Sequence, residues 1–292
     1  TTETTPASPQ AAAAGIARDS AEYGAFAGSV SGEQDFITLE NNKLELKISL
    51  RGGRIWSARV KDYVTHDSLP LVLFSGDSTV FGFNFFTSDN RAIQTNSLYF
   101  KPVSGEKSVV VTDEPKSVTL RLYAGEDRYV EYKYTLAPDK YSTGFDVTFK
   151  NLQGVLPSNQ TSMELDWQMY IPQQEKGRDN EDLYTTIKYK YFDDEVDGLR
   201  ARSQKDTDSE ELTTKLSWVA FTDQFFSSIV ITDNYFVSGS ISSTKMPPTE
   251  KYLRFFTTSL NVPVTPGPES SVSLKLYYGP NHISTLRKEG LQ

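Results

Sequence analysis

A large antiparallel β-sandwich is the fold class this sequence predicts, and three observations predict it. Apolar and polar residues alternate over segment after segment from Phe36 onward. Tyr and Phe number 16 and 17 in 292 residues, an aromatic excess that suits strands. No long window sustains the 3.6-residue period of a helix. Alternation with one polar face implies antiparallel sheets buried on a single side. Two such sheets stacked face to face bury those sides together.

Residues 1–35 are rich in Thr, Ala, Ser, Pro and Gly, with an alanine run from Ala11 to Ala14. Such a stretch buries too little apolar surface to offset its ordering entropy, so a disordered tether is expected there. Ala11–Arg18 is its one candidate for a short helix. The folded domain is expected over residues 36–288, with 289–292 as a tail. Leu44, Leu46, Ile48 and Leu50 alternate with polar neighbours, and Arg51-Gly52-Gly53-Arg54 then turns the chain into Ile55–Val60. The glycine pair supplies the positive φ that a tight turn requires. Val118, Leu120 and Leu122 form a strand, followed by Val130, Tyr132, Tyr134 and Leu136. Phe145, Val147 and Phe149 form the next, and Met163, Leu165, Trp167, Met169 and Ile171 another. Asn151–Asn159, Pro172–Asp182 and the charged Asp193–Glu211 read as linkers, and Pro263–Pro268 as the loop before a last strand, Val272–Tyr278.

The densest apolar run is Ser217–Ile231, in a chain whose mean hydropathy is −0.46. Its β-branched and aromatic residues are broken by Thr222-Asp223-Gln224, which reads as two core strands joined by a polar corner. Phe221 and Phe225 are both expected in the core on this reading, each worth about 3–5 kcal/mol if truncated to Ala.

Charge and composition exclude several function classes. A net charge of −8 and a pI near 5.0, with no Lys/Arg cluster, argue against a nucleic-acid partner and disfavour direct binding to anionic lipid headgroups. No window approaches the roughly 20 apolar residues of a membrane span. Cysteine is absent, which removes thiol nucleophiles and Cys-ligated zinc. The chain opens at Thr1 without Met and reads as a fragment of a longer protein.

Candidates for chemistry are sparse. The two histidines, His66 and His282, fall in polar turns, and no sequence spacing joins the two into the oriented pair that a general base or metal site needs. Asp193-Asp194-Glu195-Val196-Asp197-Gly198 lacks the alternate ligand positions of a calcium loop and reads as a solvated acidic loop. Glu164 and Asp166 have the separation of paired carboxylates, but alternation already places them on the wet face of a strand. Arg51–Arg54 lacks the Gly-Lys-Ser/Thr ending of a phosphate loop, and Asn159-Gln160-Thr161 is a chance-level glycosylation match. Neither a catalytic residue, a cofactor nor a metal site is expected. Phe81, Phe83, Phe85 and Phe86 read as core. Tyr189, Tyr191 and Phe192 are the candidates for a ligand or partner cleft, with core packing as the competing account.

Taken in order, several stretches resemble the large periplasmic domain of the YidC/Oxa/Alb family of membrane protein insertases. They are Ile37–Trp56 with its Arg51-Gly52-Gly53 turn, Val60–Tyr63 and Pro70–Phe74. The block Trp218-Val219-Ala220-Phe221-Thr222-Asp223-Gln224-Phe225-Phe226 and the closing Tyr277-Tyr278-Gly279-Pro280 complete the series. The resemblance spans about residues 36–288. It implies a β-supersandwich similar to galactose mutarotase, on the periplasmic side of a bacterial inner membrane. Transmembrane helices outside this sequence would hold the domain there. The partners it implies are the Sec translocon with its accessory subunits and nascent inner-membrane proteins, and it implies no enzymatic activity. Arg51, Gly52, Gly53, Trp218, Phe221, Gln224, Phe225, Phe226, Tyr278, Gly279 and Pro280 carry the resemblance as structural residues. A carbohydrate-binding sandwich without catalysis, or an aldose-epimerase-like enzyme, is the alternative reading. Epimerase chemistry needs an acid and a base converging on one sugar, which the two isolated histidines do not provide.

Overall fold

The computed structural model describes residues 8–76, 78–193, 195–199 and 206–291. The chain runs through β1 (Phe36–Glu40), β2 (Leu44–Ser49), β3 (Ile55–Val64), β4 (Pro70–Ser75), β5 (Val80–Phe86) and β6 (Ala92–Gln94). Next come the short β7 (Lys101–Pro102) and β8 (Ser108–Val110), then the long β9 (Lys116–Tyr123), β10 (Tyr129–Leu136), β11 (Ser142–Lys150) and β12 (Ser162–Pro172). The last part holds β13 (Thr186–Tyr191), β14 (Val196–Gly198), β15 (Thr207–Leu212) and β16 (Leu216–Thr222). It closes with β17 (Phe226–Phe236), β18 (Gly239–Lys245), β19 (Tyr252–Pro263) and β20 (Glu269–Pro280).

Among the described residues these strands form three sheets. Their orders are β4-β3-β2-β1-β8, β14-β13-β16-β17-β20-β11-β10-β9-β7 and β15-β18-β19-β12-β5-β6. All pairings are antiparallel except that of β1 with β8. The fold is the large all-β antiparallel sandwich expected from the alternation.

Ring contacts show how the faces meet. Trp167 on β12 stacks on Phe221 of β16 with centroids 3.7 Å apart. Phe81 and Phe83 of β5 contact Phe145 and Phe149 of β11 edge-on, at 5.6 and 6.0 Å. The interface between the six- and nine-stranded sheets is therefore an aromatic core, and alternation aims those rings inward. The five-stranded sheet joins it through Phe74 against Tyr278 at 5.3 Å and Tyr63 against Phe226 at 5.2 Å.

The Arg51–Arg54 turn is set by close approach. Gly52 and Gly53 have φ of 85° and 59°, and a Cβ on Gly53 would stand 2.7 Å from the ring of buried Phe100. Tyr134 on β10 donates to the Gly53 carbonyl at 2.6 Å, locking the turn to the nine-stranded sheet.

Several expectations are corrected. The stretch read as a disordered tether carries α1 (Pro9–Tyr23), capped by the Ser8 side chain, and then a 3-10 turn over Gly24–Ser29. Phe26 is fully buried against Phe85, and Ser29 bonds Tyr123 and Tyr99, which ties this segment to the sandwich. The Pro172–Asp182 linker leads into α2 (Arg178–Tyr184). The Asp193–Glu211 linker holds β14 and most of β15, although Asp194 and 200–205 lie outside the described residues. The tail is not loose through Leu291: after α3 (Ile283–Lys288), Glu289 and Leu291 are buried.

Candidate functional site

The β16–β17 hairpin has two faces, and they do different things. Asp223 makes the corner: its Oδ1 accepts from the backbone N–H groups of Phe225 and Phe226 at 2.9 and 2.7 Å, and its own N–H donates to the Phe226 carbonyl. This Asx-type turn puts Phe226 into the core and leaves Phe225 46% exposed, which overturns the expected burial of Phe225. Val219 and Phe221 point inward. Trp218, Ala220 and Thr222 point outward, and the register pairs Trp218 with Ile231, Ala220 with Ile229 and Thr222 with Ser227. On the neighbouring strand, Lys188 pairs with Ala220.

That outer face is the floor of a cleft of about 580 Å³, roofed by α3 and its C-terminal turn. Trp218, Ala220 and Ile229 lie on the floor, while Ile283, Leu286 and Leu291 form the opposite wall. The roof is anchored. Glu289 accepts from the Tyr141 backbone N–H at 2.8 Å and from the Ser142 hydroxyl, while Asn281 donates to the Asp223 carbonyl at 3.1 Å and accepts from Ser227. Thr222 donates to the Thr186 carbonyl at 3.0 Å. The corner end of the cleft is thus polar but internally satisfied. Its charged side chains are Asp223, whose carboxyl is pushed up to about 6 by desolvation, and Lys188 and Arg287.

Beneath the corner lies a second carboxylate. Glu181 of α2 is fully buried and accepts from the backbone N–H groups of Gln174 and Glu175 at 2.7–3.2 Å. Burial pushes its carboxyl up to about 7 despite those bonds, and the charges of Asp223 and Glu175 push the same way. Asp182 beside it forms a two-pronged pair with the Arg254 guanidinium at 2.9 and 3.1 Å.

The residues expected to make a cleft are divided by this geometry. Tyr189 is 1% exposed and pairs with inward-facing Val219, so its ring belongs to the core. Tyr191 meets it edge-on at 5.2 Å on the same face. Phe192 is 41% exposed and rests on Tyr235 at 5.8 Å. The cleft belongs instead to the alternate residue, Lys188. The other aromatic run is core except Phe86, at 64% exposure. His66 and His282 are exposed, His66 beside Asp67 at 3.0 Å. Glu164 and Asp166 take hydrogen bonds from Ser259 and from Asn84 and Gln168. Among the described residues no group of three or more His, Asp or Glu could hold a metal ion. No described helix is long and apolar enough to cross a membrane.

The resemblance-bearing glycines and aromatics have packing roles. A Cβ on Gly279 would meet Tyr141 and the Tyr277 hydroxyl at 2.9 Å, and Tyr277 donates to the Pro280 carbonyl at 2.6 Å. Arg51 is exposed and lies over the Tyr99 ring. Leu286 and Ile283 at i, i+3 spacing before Gly290 were the missed signal for α3.

The family model for the YidC periplasmic domain matches residues 36–292. The chain belongs to that family. It is 36% identical over 265 residues to a membrane protein insertase YidC of Parabacteroides distasonis, covering 91% of this chain and 40% of the relative. The corresponding protein of Bacteroides fragilis is 33% identical over 270 residues, covering 92% and 41%. The chain thus spans about two fifths of the length of the curated family members it matches. Among solved structures, a galactose mutarotase related enzyme from Lactobacillus acidophilus aligns with a TM-score of 0.46 at 12% identity, over 84% of this chain and 97% of that one. An active YidC insertase structure with its first transmembrane domain resolved aligns at 0.40 and 10% identity, over 88% and 42%.

Proposed function

We propose that this chain is the periplasmic module of a bacterial inner-membrane protein insertase. In this reading it assists insertion and folding of nascent membrane proteins by docking translocon components or substrate segments. Membership of the periplasmic-domain family over residues 36–292, with relatives named insertases, is the observation that carries it. The role is non-enzymatic, since an insertase exchanges environments for its substrate and breaks no covalent bond. The outward residues of the β16–β17 hairpin and Phe192 are the surfaces from which contact is most readily probed.

The test is site-specific photo-crosslinking in membranes, from Gln224, Ile283 and Phe192 of the full-length protein. Adducts with nascent inner-membrane proteins or with Sec accessory subunits are expected from at least one position. Adducts from none of them, with insertion otherwise active, would remove the docking role. A mutarotase rate above background from the chain alone would replace the reading with the enzymatic one.

A further inference from the structure

The cleft beneath α3 has a chemistry that neither the core nor the docking reading uses. Its floor is the face of a sheet, so the strand N–H and C=O groups there are already paired across β13, β16 and β17. An extended peptide laid on it would find no backbone edge to satisfy its own hydrogen bonds. A sugar would need several free polar groups, and Thr222, Ser227, Asn281 and Asp223 are committed to each other and to the turn, which leaves Gln224 as the one uncharged amide of the lining without a described hydrogen bond. What remains is an apolar slot between Trp218, Ile229, Leu286 and Leu291, of a volume within the roughly 300–1,000 Å³ typical of ligand sites.

Two of the three charged side chains lining that slot have the opposite sign to the chain as a whole; the third, Asp223, sits at the corner end with its carboxylate held by the turn. Lys188 and Arg287 line it, and neither side chain has an ion-pair or hydrogen-bond partner among the described residues. The net charge of the chain is −8. Tyr184 and Ile283 of the lining are 51% and 67% exposed, and Phe225, next in sequence to the lining residue Gln224, is 46% exposed; such apolar and aromatic side chains settle at a membrane–water interface.

We propose that this cleft binds an anionic membrane lipid, one acyl chain lying between Trp218 and the α3 wall and the headgroup held by Lys188 and Arg287. An acyl chain needs no hydrogen bonds along its length, and two unpaired cations supply the charge complement at its head. Tyr184, Phe225 and Ile283 then enter the interfacial layer, which lays this end of the sandwich against the bilayer. The inference rests on the cleft and not on the insertase reading, so the failure of one leaves the other standing.

The experiment is flotation of the whole 292-residue chain with phosphatidylcholine vesicles, with and without about one third phosphatidylglycerol. Binding is expected only to the anionic vesicles, weakening with salt, and the exposed-site double variant K188Q/R287Q is expected to lower it about tenfold or more. Brominated acyl chains should quench tryptophan fluorescence in the parent and lose most of that effect in Trp218→Phe. Equal binding to both vesicles, or none, overturns the proposal. So does unchanged binding of K188Q/R287Q, or binding without bromine quenching, which would mean surface attraction alone. Competition by glycerol phosphate as effective as that by intact lipid would leave only a free-phosphate site and refute the acyl-chain assignment. A shift of tryptophan emission on adding an apolar peptide, absent in Trp218→Phe and with no lipid binding, would overturn the proposal and assign the cleft to protein segments instead.

Discussion

Two phenylalanines four residues apart in one hairpin should differ severalfold in what they contribute to stability. Phe221 is 2% exposed, stacked on Trp167 at 3.7 Å and tilted against Phe256 at 5.3 Å. Phe221→Ala removes a ring from the junction of the nine- and six-stranded sheets, where neighbours on long strands cannot collapse into the void. The loss is about 3–5 kcal/mol. For a chain of 292 residues the unfolding entropy is roughly 0.6 kcal/mol/K, so Tm should fall by roughly 5–8 °C. Phe225 is 46% exposed at the corner, and the turn that holds it uses its backbone N–H and not its ring. Phe225→Ala should therefore cost less than about 1 kcal/mol, below roughly 2 °C. Paired thermal and urea denaturation of the two variants reads the difference directly. Equal losses, or a larger one for Phe225, would mean that the phase of β17 is wrong and that Phe225 and not Phe226 faces the core.

Three further outcomes follow from the buried charges and the Gly turn. Glu181, raised from 4.5 to about 7, binds in the folded state a proton that the unfolded chain has released, so stability falls as pH rises through that window, by about 3 kcal/mol. Asp223 acts in the same direction between 3.8 and about 6, and urea midpoints against pH should show Glu181→Gln flattening the upper part of the slope. Arg254→Ala leaves the Asp182 carboxylate with Lys245 alone, at 3.7 Å, and should cost about 3 kcal/mol. A loss under about 1 kcal/mol in urea unfolding would show that water reaches that pair. Gly53→Ala meets both a positive φ and the Phe100 ring, and should lower stability by about 2 kcal/mol or more. Gly154→Ala, at φ 80° with open space around it, isolates the conformational part in the same melting assay.

Strand existence was legible because alternation survives every other pressure on these segments. The burial of β12 alternates without a break from Ser162 to Pro172, as its Met163–Ile171 pattern requires. Part of α1 was legible as the Ala11–Arg18 candidate, but the other helices were not, for a physical reason. α2 and α3 are 7 and 6 residues long, too short for a period to establish itself, and they persist through tertiary anchors rather than propensity. Glu181 clamps the Gln174–Glu175 backbone through its buried side chain, and Glu289 clamps Tyr141 across 148 residues, a separation that no local window contains. The α1 helix has no buried residue, so its Ala-rich stretch gave no apolar stripe to read, and its attachment depends on Phe26 beyond its end.

Tyr189, expected at a cleft, stands one residue from a strand position that does line one, and strand geometry explains the difference. In Lys188-Tyr189-Lys190-Tyr191 the aromatics drew attention as a binding surface, but a strand sends neighbours to opposite faces. The lysines mark the outer face and the tyrosines the inner one, so Tyr189 joins the core and Lys188 the cleft. The same division sorts the Trp218–Phe226 block. Phe221 and Phe226 are explained by the aromatic core, and Gly279 with Tyr278 by close approach to Tyr141 and Phe74. Trp218 is half-buried, packed against the core and also lining the cleft beneath α3, and half-buried Gln224 lines the same cleft. A large aromatic left partly wet on the floor of an apolar slot forgoes burial that the adjacent core could have given it. That makes Trp218 the position where packing and function can be separated. Trp218→Phe should leave Tm nearly unchanged while altering whatever the cleft holds, and a melting loss as large as that of Phe221→Ala would return this residue to the core.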